Sequence, residues 1–370
     1  MIYTVKLRLK PTKSQKTGIF KMFGLHKTLY NRCLEHKIKQ YEETKTSDSR
    51  FDQIKKEIPA FKSENPDVSL YSYSSFQQTV RRLHKTYDNF FRKDSSFPRF
   101  KKIFKSVDFG AYGDGWKIRN GQVYIKGIGE IDFFTDTQIT NPQHLTLKFD
   151  GDFFYACITE NKTRPVIKSK DASVGIDFGM KHFITLSDGT KIDHPLPYLN
   201  KLKKQARIQQ QIAKAKENGN AIILKKKRRA LRKTHRKTAN QRMDFAHKLS
   251  KKLASDYNKI AIEDLSIEKL DSFSTINRKL RDLAWCQFTN FLQYKAANAG
   301  IVLVKVNPAY TSQECICGKL VPKTLKERVH KCPCGHIEDR DILAAKNILK
   351  RGFPSKNFSS RTREPLFSAS

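Results

Sequence analysis

Four of the seven cysteines are gathered late in the chain, at Cys315, Cys317, Cys332 and Cys334, in a C-x-C-x14-C-x-C pattern of two glycine-flanked pairs, CICG and CPCG. Four thiolates can close a tetrahedral structural zinc site. The usual knuckle is C-x2-C, so each pair is one residue short and simultaneous grip on one ion is strained. His330 and His336 are the substitutes if a sulfur cannot reach, and a metal-free β-hairpin with reduced thiols is the alternative. A reducing cytosol argues against disulfides. Cys33, Cys157 and Cys286 stand in apolar helical or strand contexts and read as packing residues. Three acids form a second set. Asp177 ends the apolar run SVGID, Glu263 ends KIAIE, and Asp341 stands at the start of the helical pattern DILAAKNILK. Singly, they read as a turn residue, an N-cap or a surface acid. At the emerging ends of neighbouring strands and the start of an adjoining helix they can converge, and such a cluster is costly unless divalent cations neutralise it. Two Mg²⁺ ions held there would activate water and stabilise the leaving oxygen in phosphodiester cleavage.

The charge balance agrees with that chemistry. The 370 residues include 72 Lys and Arg against 36 Asp and Glu, a net charge of +36, with a pI of about 9.9. That is too basic for an ordinary metabolic enzyme and implies a polyanionic partner, nucleic acid first and an anionic membrane second. With 38% hydrophobic residues there is material for buried cores, and the length allows roughly two to three domains of about 150 residues. No apolar run approaches the ~20 residues a membrane span needs, and the opening MIYTVKLRLK does not resemble a signal peptide. The expectation is a soluble, cytoplasmic protein.

The elements that must position these residues follow from periodicity. Residues 1–9 alternate as one strand, which Pro11 ends. Helical spacing follows over 14–46, and again where Tyr73, Phe76, Val80, Leu83, Tyr87 and Phe90 recur at intervals of three and four. The polar faces carry Lys27, Arg32, Lys37, Arg81, Arg82, Lys85, Arg92 and Lys93, which either follow a phosphate backbone or are solvated. Residues 96–102, SFPRFKK, interleave Phe97 and Phe100 with Arg99, Lys101 and Lys102, suited to stacking and phosphate contact or to a plain turn. Short alternating stretches then predict strands at 107–109, 116–118, 122–125, 130–134, 145–149 and 153–160. A β-barrel interrupted by a helical insertion, with the first strand returning to join it, accounts for the order; an isolated first strand is the alternative. After Pro165 a strand–turn–strand–turn–strand pattern opens a new domain. Residues 199–252 are helical and carry 19 Lys and Arg against only Glu217 and Asp244. Within them Lys225, Lys226, Lys227, Arg228 and Arg229 read as phosphate contacts in preference to a localisation signal.

Taken in order, GIDFG, KTHRKTANQRMDFAHKLS, IAIEDLSIEKL, YKAANAGIVLVKVNPAYTSQEC and CGHIEDRDILAAKNIL resemble the hallmarks of the TnpB family, transposon-encoded RNA-guided nucleases related to compact type V CRISPR effectors. The resemblance covers about 172–349, and the first strand, helical insert and SFPRFKK are similar to the family's wedge and recognition regions. It implies an α/β plus all-β fold: a RuvC-like nuclease lobe of RNase H fold with an inserted zinc ribbon, and a β-barrel wedge domain with a helical recognition insert. The expected boundaries are 1–12 for the first wedge strand, 13–95 for the helical insert, 96–168 for the barrel, 169–309 for the nuclease domain, 310–337 for the ribbon, 338–351 for the final nuclease helix and 352–370 for a flexible tail. Implied partners are a guide RNA from the protein's own locus and double-stranded target DNA beside a short flanking motif, with no membrane and one protein chain per RNA. A nucleoid-associated enzyme in a prokaryotic cytoplasm is the implied setting.

Carried over by residue, the resemblance makes Asp177 and Glu263 ligands of Mg²⁺, with an acid of DRD as the third. Asp341 is chosen over Asp339, although Leu343 stands where the family usually has Asn. The four late cysteines become ligands of a structural Zn²⁺. His235, Arg242 and His247 match family positions that contact nucleic acid or the domain interior. A nuclease-inactive RNA-guided DNA-binding transcriptional repressor is the main rival, which the intact carboxylates oppose. A transposase lacks support from any Tyr or Ser constellation, and a guide-free structure-specific nuclease is the remaining alternative.

Overall fold

The computed structural model describes residues 2–134, 138–161, 170–195, 201–264, 284–324 and 327–354. The chain divides into two compact units, residues 1–163 and 164–370. The expected junction at 168/169 and the tail beyond 354 lie outside the described residues. No described helix is long and apolar enough to cross a membrane.

In the first unit the opening alternation forms β1 (Ile2–Leu9), which buries Leu7 and Leu9 and exposes Lys6 and Arg8. Thr12 caps α1 (Lys13–Thr44): its side chain accepts from the Gln15 amide, and Gln15 reaches back to the Thr12 amide. After α2 (Arg50–Glu64) and α3 (Tyr73–Phe91) come β2 (Ser106–Ala111), β3 (Trp116–Arg119), β4 (Gln122–Ile125), β5 (Gly129–Phe134), β6 (Pro142–Phe149) and β7 (Phe154–Asn161). Among the described residues they form a nearly closed, barrel-like antiparallel sheet in the order β2-β6-β7-β1-β5-β4-β3. The first strand is not isolated. It pairs with β7 from Ile2↔Asn161 to Arg8↔Tyr155 and with β5 at Arg8 and Leu9, so the three helices occupy the connection from β1 to β2. Leu7, Trp116, Ile131, Leu145 and Ile158 share one buried cluster with Met22 and Leu29 of α1 and Phe76, Val80 and Leu83 of α3.

Three cations expected on a solvated or phosphate-facing surface are instead internal clamps. Arg82 donates to Asp108 Oδ2 at 2.5 Å and to the Ser106 carbonyl at 3.1 Å, tying α3 to β2. Arg32 donates to Glu57 at 2.8 Å and to Glu64 at 2.5 Å, tying α1 to α2. Lys37 is buried and donates to the Asp48 carbonyl at 3.0 Å. Charge type alone cannot distinguish a clamp from a phosphate contact, because the acidic partner lies far away in sequence.

The second unit begins with β8 (Ser173–Phe178), β9 (Ile184–Leu186) and β10 (Lys191–Ile192), then α4 (Leu202–Glu217), α5 (Ala221–Asp256), β11 (Lys259–Glu263), α6 (Trp285–Ala299) and β12 (Val302–Val306). A hairpin of β13 (Val329–Lys331) and β14 (Ile337–Asp339) leads into α7 (Arg340–Gly352). The sheet order is β10-β9-β8-β11-β12, antiparallel from β10 to β8 and parallel from β8 to β12. Alternation splits its side chains between two faces. Val174, Ile176, Ile260 and Ile262 join a core with Leu249 and Leu253 of α5 and Phe288 and Leu292 of α6.

The opposite face carries Gly175, Asp177, Ala261 and Glu263, a small residue two places before each acid. That bare surface seats α7. A methyl group on Gly175 would lie 2.0 Å from the Ala345 carbonyl oxygen and 2.7 Å from the Leu349 amide nitrogen, and one on Gly352 would lie 2.6 Å from Ala261 Cβ. Gly175→Ala must therefore push the helix backbone off the sheet. The expected cost is about 1–3 kcal/mol, or roughly 2–12 °C in thermal midpoint for a unit of this size. Calorimetry checks it; an unchanged midpoint would mean that α7 is not seated this closely.

Candidate functional site

The parallel register of β8 and β11 runs to Ile176↔Ile262. One step further sets Asp177 beside Glu263, at the C-terminal ends of adjacent strands and on the face covered by α7. Asp341, in the first turn of α7, acts electrostatically on Asp177. Burial pushes the Asp177 carboxyl well above the usual carboxylate range, and the charges of Glu263 and Asp341 push it further, against Arg340. Glu263 is 8% exposed, and burial raises its carboxyl too, opposed by a hydrogen bond from Thr311 and by the charge of Arg351.

Asp339 has a different role. Its carboxylate caps α7, accepting from the Asp341 amide at 3.0 Å and the Ile342 amide at 3.3 Å, and pairs with Lys191 at 2.6 Å. Partial burial works to raise its carboxyl, but Lys191 and the two amides prevail and hold it below the usual range. Asp341 has the Arg328 guanidinium at 4.0 Å. Thr185, on β9 directly opposite Asp177, is buried and its hydroxyl has no hydrogen-bond partner among the described residues. Among the described residues only the four cysteines bring three or more candidate ligand atoms within 4.8 Å of one another. The acids are near enough for Glu263 and Asp341 to raise the proton affinity of Asp177, and with the Thr185 hydroxyl they offer oxygen donors of the kind a hard divalent cation such as Mg²⁺ takes. Leu343, where an Asn was expected from the resemblance, is fully buried.

The cysteine pairs form two matching turns. Cys315 N donates to Lys319 O and Gly318 N to Cys315 O; Cys332 N donates to His336 O and Gly335 N to Cys332 O. Gly318 (φ 82°) and Gly335 (φ 88°) supply the left-handed residue that each turn needs. All four sulfurs lie within 4.8 Å of one another, with Cys315–Cys334 and Cys317–Cys332 each at 3.7 Å. Zn–S bonds of about 2.3 Å in a tetrahedron require S···S separations of about 3.8 Å. The shortened pairs therefore do not prevent convergence, and neither histidine is needed as a substitute. The Lys319 amide pulls the Cys317 thiol down to about 7, toward the thiolate that binds metal. Among the other cysteines, Cys33 is buried as expected of a packing residue and Cys157 is half-buried, whereas Cys286 is exposed.

The basic candidates lie apart from these clusters in sequence and serve unlike roles. In α5, Lys225, Lys226, Arg228 and Arg229 are exposed and Lys227 is half-buried. Thr234 and Thr238 are buried on the same helix, as are Ile208 and Ala215 on α4, and Gly219 (φ 62°) turns the hairpin between them. His235 is exposed. Arg242 is half-buried and lines a small pocket with Phe183, His194 and Phe245. His247 is half-buried and stacks on Phe291 with ring centroids 4.0 Å apart. In the first unit, Arg81, Lys85, Arg99, Lys101 and Lys102 are exposed. Phe97 packs edge-on to Tyr87 and Phe90, and Asn31 holds the Lys101 backbone at both its amide (2.7 Å) and its carbonyl (3.0 Å). SFPRFKK is thus an anchored segment that presents exposed cations.

Sequence reasoning missed Thr185, Thr311, Lys191 and the pair Gly175 and Ala261. Only the last pair left a signal, a small residue two places before each strand-ending acid.

Three family models match the chain: "Cas12f1-like, TNB domain" over residues 285–348, "Probable transposase" over 156–273, and "Helix-turn-helix domain" over 1–46, which here form β1 and α1. A protein of Streptomyces pristinaespiralis named "Putative RNA-guided DNA endonuclease" is 31% identical over 365 residues, covering 94% of this chain and 88% of its own. "Putative RNA-guided DNA endonuclease InsQ" of Escherichia coli (strain K12) is 27% identical over 371 residues, covering 94% and 91%. A solved structure of the mini-RNA-guided endonuclease CRISPR-Cas_phi3 aligns with a TM-score of 0.46 at 10% identity, covering 96% of this chain and 93% of that one.

Proposed function

Because the chain belongs to the TnpB family of RNA-guided DNA endonucleases, we propose that it is a metal-dependent endodeoxyribonuclease that cuts DNA matching a guide RNA from its own locus, beside a short flanking motif. The observation that carries this reading is the placement of Asp177 and Glu263 at adjacent parallel strand ends, with Asp341 on the helix that covers the same face. The sheet order, an antiparallel meander continued by two parallel strands, supports a RuvC-like RNase H fold. Asp177, Glu263 and Asp341 would hold Mg²⁺, which when bound supplies an activated water and charge stabilisation at the leaving oxygen. The chain's own contribution is to keep two buried carboxylates at adjacent strand ends and a third in the first turn of α7, with Asp339 and Lys191 setting that turn. The four cysteines would hold a structural Zn²⁺ that fixes the hairpin entering that helix.

Base pairing supplies sequence specificity in such a system, and the protein grips backbone and shape. The exposed cations of α5 and of 99–102 are suited to that grip, with one protein chain per RNA. The test is to purify the protein with RNA transcribed from its locus, add Mg²⁺, and offer a plasmid library with a randomised flank beside a guide match. Cuts confined to one flank and absent without the guide are expected. Guide-dependent retention of the same DNA without cuts would replace the nuclease by a DNA-binding repressor.

A further inference from the structure

We propose that Thr311 positions the Glu263 carboxylate for its metal, and that α7 holds Thr311 in place through Asn347 and Arg351; this rests on the reading of Glu263 as a metal ligand. Thr311 lies between β12 and the first cysteine pair and is 4% exposed. Its Oγ1 stands 2.8 Å from Glu263 Oε1 and 3.1 Å from the Pro308 carbonyl. A hydroxyl has one proton to give, and the shorter contact to a charged acceptor takes it. Glutamate is a longer and more mobile ligand than aspartate, so one buried hydrogen bond removes much of the freedom that metal binding would otherwise have to freeze.

The donor is itself held. Asn347, 4% exposed, donates to the Thr311 carbonyl at 2.9 Å and the Glu314 carbonyl at 2.6 Å. Four residues on, and therefore on the same face of α7, Arg351 donates to the carbonyls of Asn307 (3.0 Å) and Ala309 (2.7 Å) and pairs with Glu314 at 2.8 Å. The helix that carries Asp341 thus also sets Glu263, by way of a loop that runs directly into Cys315. Thr311 is a positioning residue: it touches the ligand and not the substrate.

The test compares Mn²⁺ binding, read by the loss of free-ion spectroscopic signal, in the full chain bound to its RNA without DNA. The Mg²⁺ dependence of cleavage is measured in parallel. Thr311→Val keeps the shape and removes the hydroxyl; Thr311→Ser keeps the hydroxyl. Thr311→Val is expected to weaken Mn²⁺ binding and raise half-saturating Mg²⁺ by about 10–100-fold, with most cleavage recovered at saturating Mg²⁺, while Thr311→Ser stays close to wild type. Asn347→Ala, which releases the loop and leaves the hydroxyl in place, is expected to shift both in the same direction. Should Thr311→Val bind Mn²⁺ like wild type while Glu263→Gln does not, the positioning role is overturned and the metal reading stands. Equal weakening in the Val and Ser variants also overturns it, since the hydroxyl would not be the cause. Wild-type Mn²⁺ binding by Glu263→Gln would overturn the reading of Glu263 as a ligand, and this inference with it.

Discussion

Asp177→Asn is expected to lower cleavage of guide-matched DNA by roughly 10³-fold or more, as loss of a central charge-stabilising group does, and to leave guide-dependent binding of that DNA intact. The amide has the shape of the carboxylate and lacks its charge, so the strand end need not move. A second signature separates this from damage to the fold. Burial and the charges of Glu263 and Asp341 hold the Asp177 proton affinity above its unfolded value. The folded state therefore binds more protons, and without metal its stability falls as pH rises from the ordinary carboxylate range through the raised one. Above that range the ionised group opposes folding in full. Asp177→Asn removes this opposition, so the metal-free variant is expected to melt above wild type at neutral pH and to lose part of the pH dependence. Calorimetry across pH, with and without Mg²⁺, reads both. A variant that cuts at the wild-type rate, or melts lower and loses DNA binding, would remove Asp177 from the role assigned to it.

Loss of the zinc proposed for the cysteine cluster is the other large expected effect. The purified protein is expected to carry about one zinc per chain by elemental analysis, as a single closed four-cysteine site requires. Cys332→Ser, or removal of the ion by a strong chelator, is expected to abolish cleavage and lower the thermal midpoint. Structural zinc sites in small domains contribute on the order of 10–16 kcal/mol, and a hairpin with two three-residue strands has little else to hold it. The damage reaches the carboxylates because β14 ends at Asp339, the residue that caps α7. Cys286→Ser, at an exposed cysteine, is the matched control and is expected to leave both quantities unchanged. Full cleavage by zinc-free protein would separate the hairpin from the site.

The strands of the barrel are readable in sequence because alternation is a local property: Gln122–Ile125 follows it with no adjustment at either end. The three acids are visible for a similar reason, each standing where an apolar run stops or a helical one begins. Partnership is not local. Nothing in the sequence near Arg82 announces Asp108, and nothing near Glu263 announces Thr311. The C-x-C spacing suggests strain when counted along the chain, yet turns closed by Gly318 and Gly335 bring the sulfurs together. Counting spacer residues ignores the direction in which a left-handed glycine sends the backbone. The small residues at Gly175 and Ala261 are the instructive omission. Each looks like weak strand sequence by propensity, and each is explained only by the helix that lies on it.

That helix also sets a schedule. Asp177 and Glu263 are made well before α7, which carries Asp341. At synthesis rates of about 5–20 residues per second, the stretch from Glu263 to Asp341 takes on the order of 4–16 s to emerge. The barrel of the first unit is complete by Asn161, so it is free to fold throughout that interval. If the three acids are the cutting site, as proposed, that site is completed last, and a nascent chain has time to acquire RNA before it is able to break DNA.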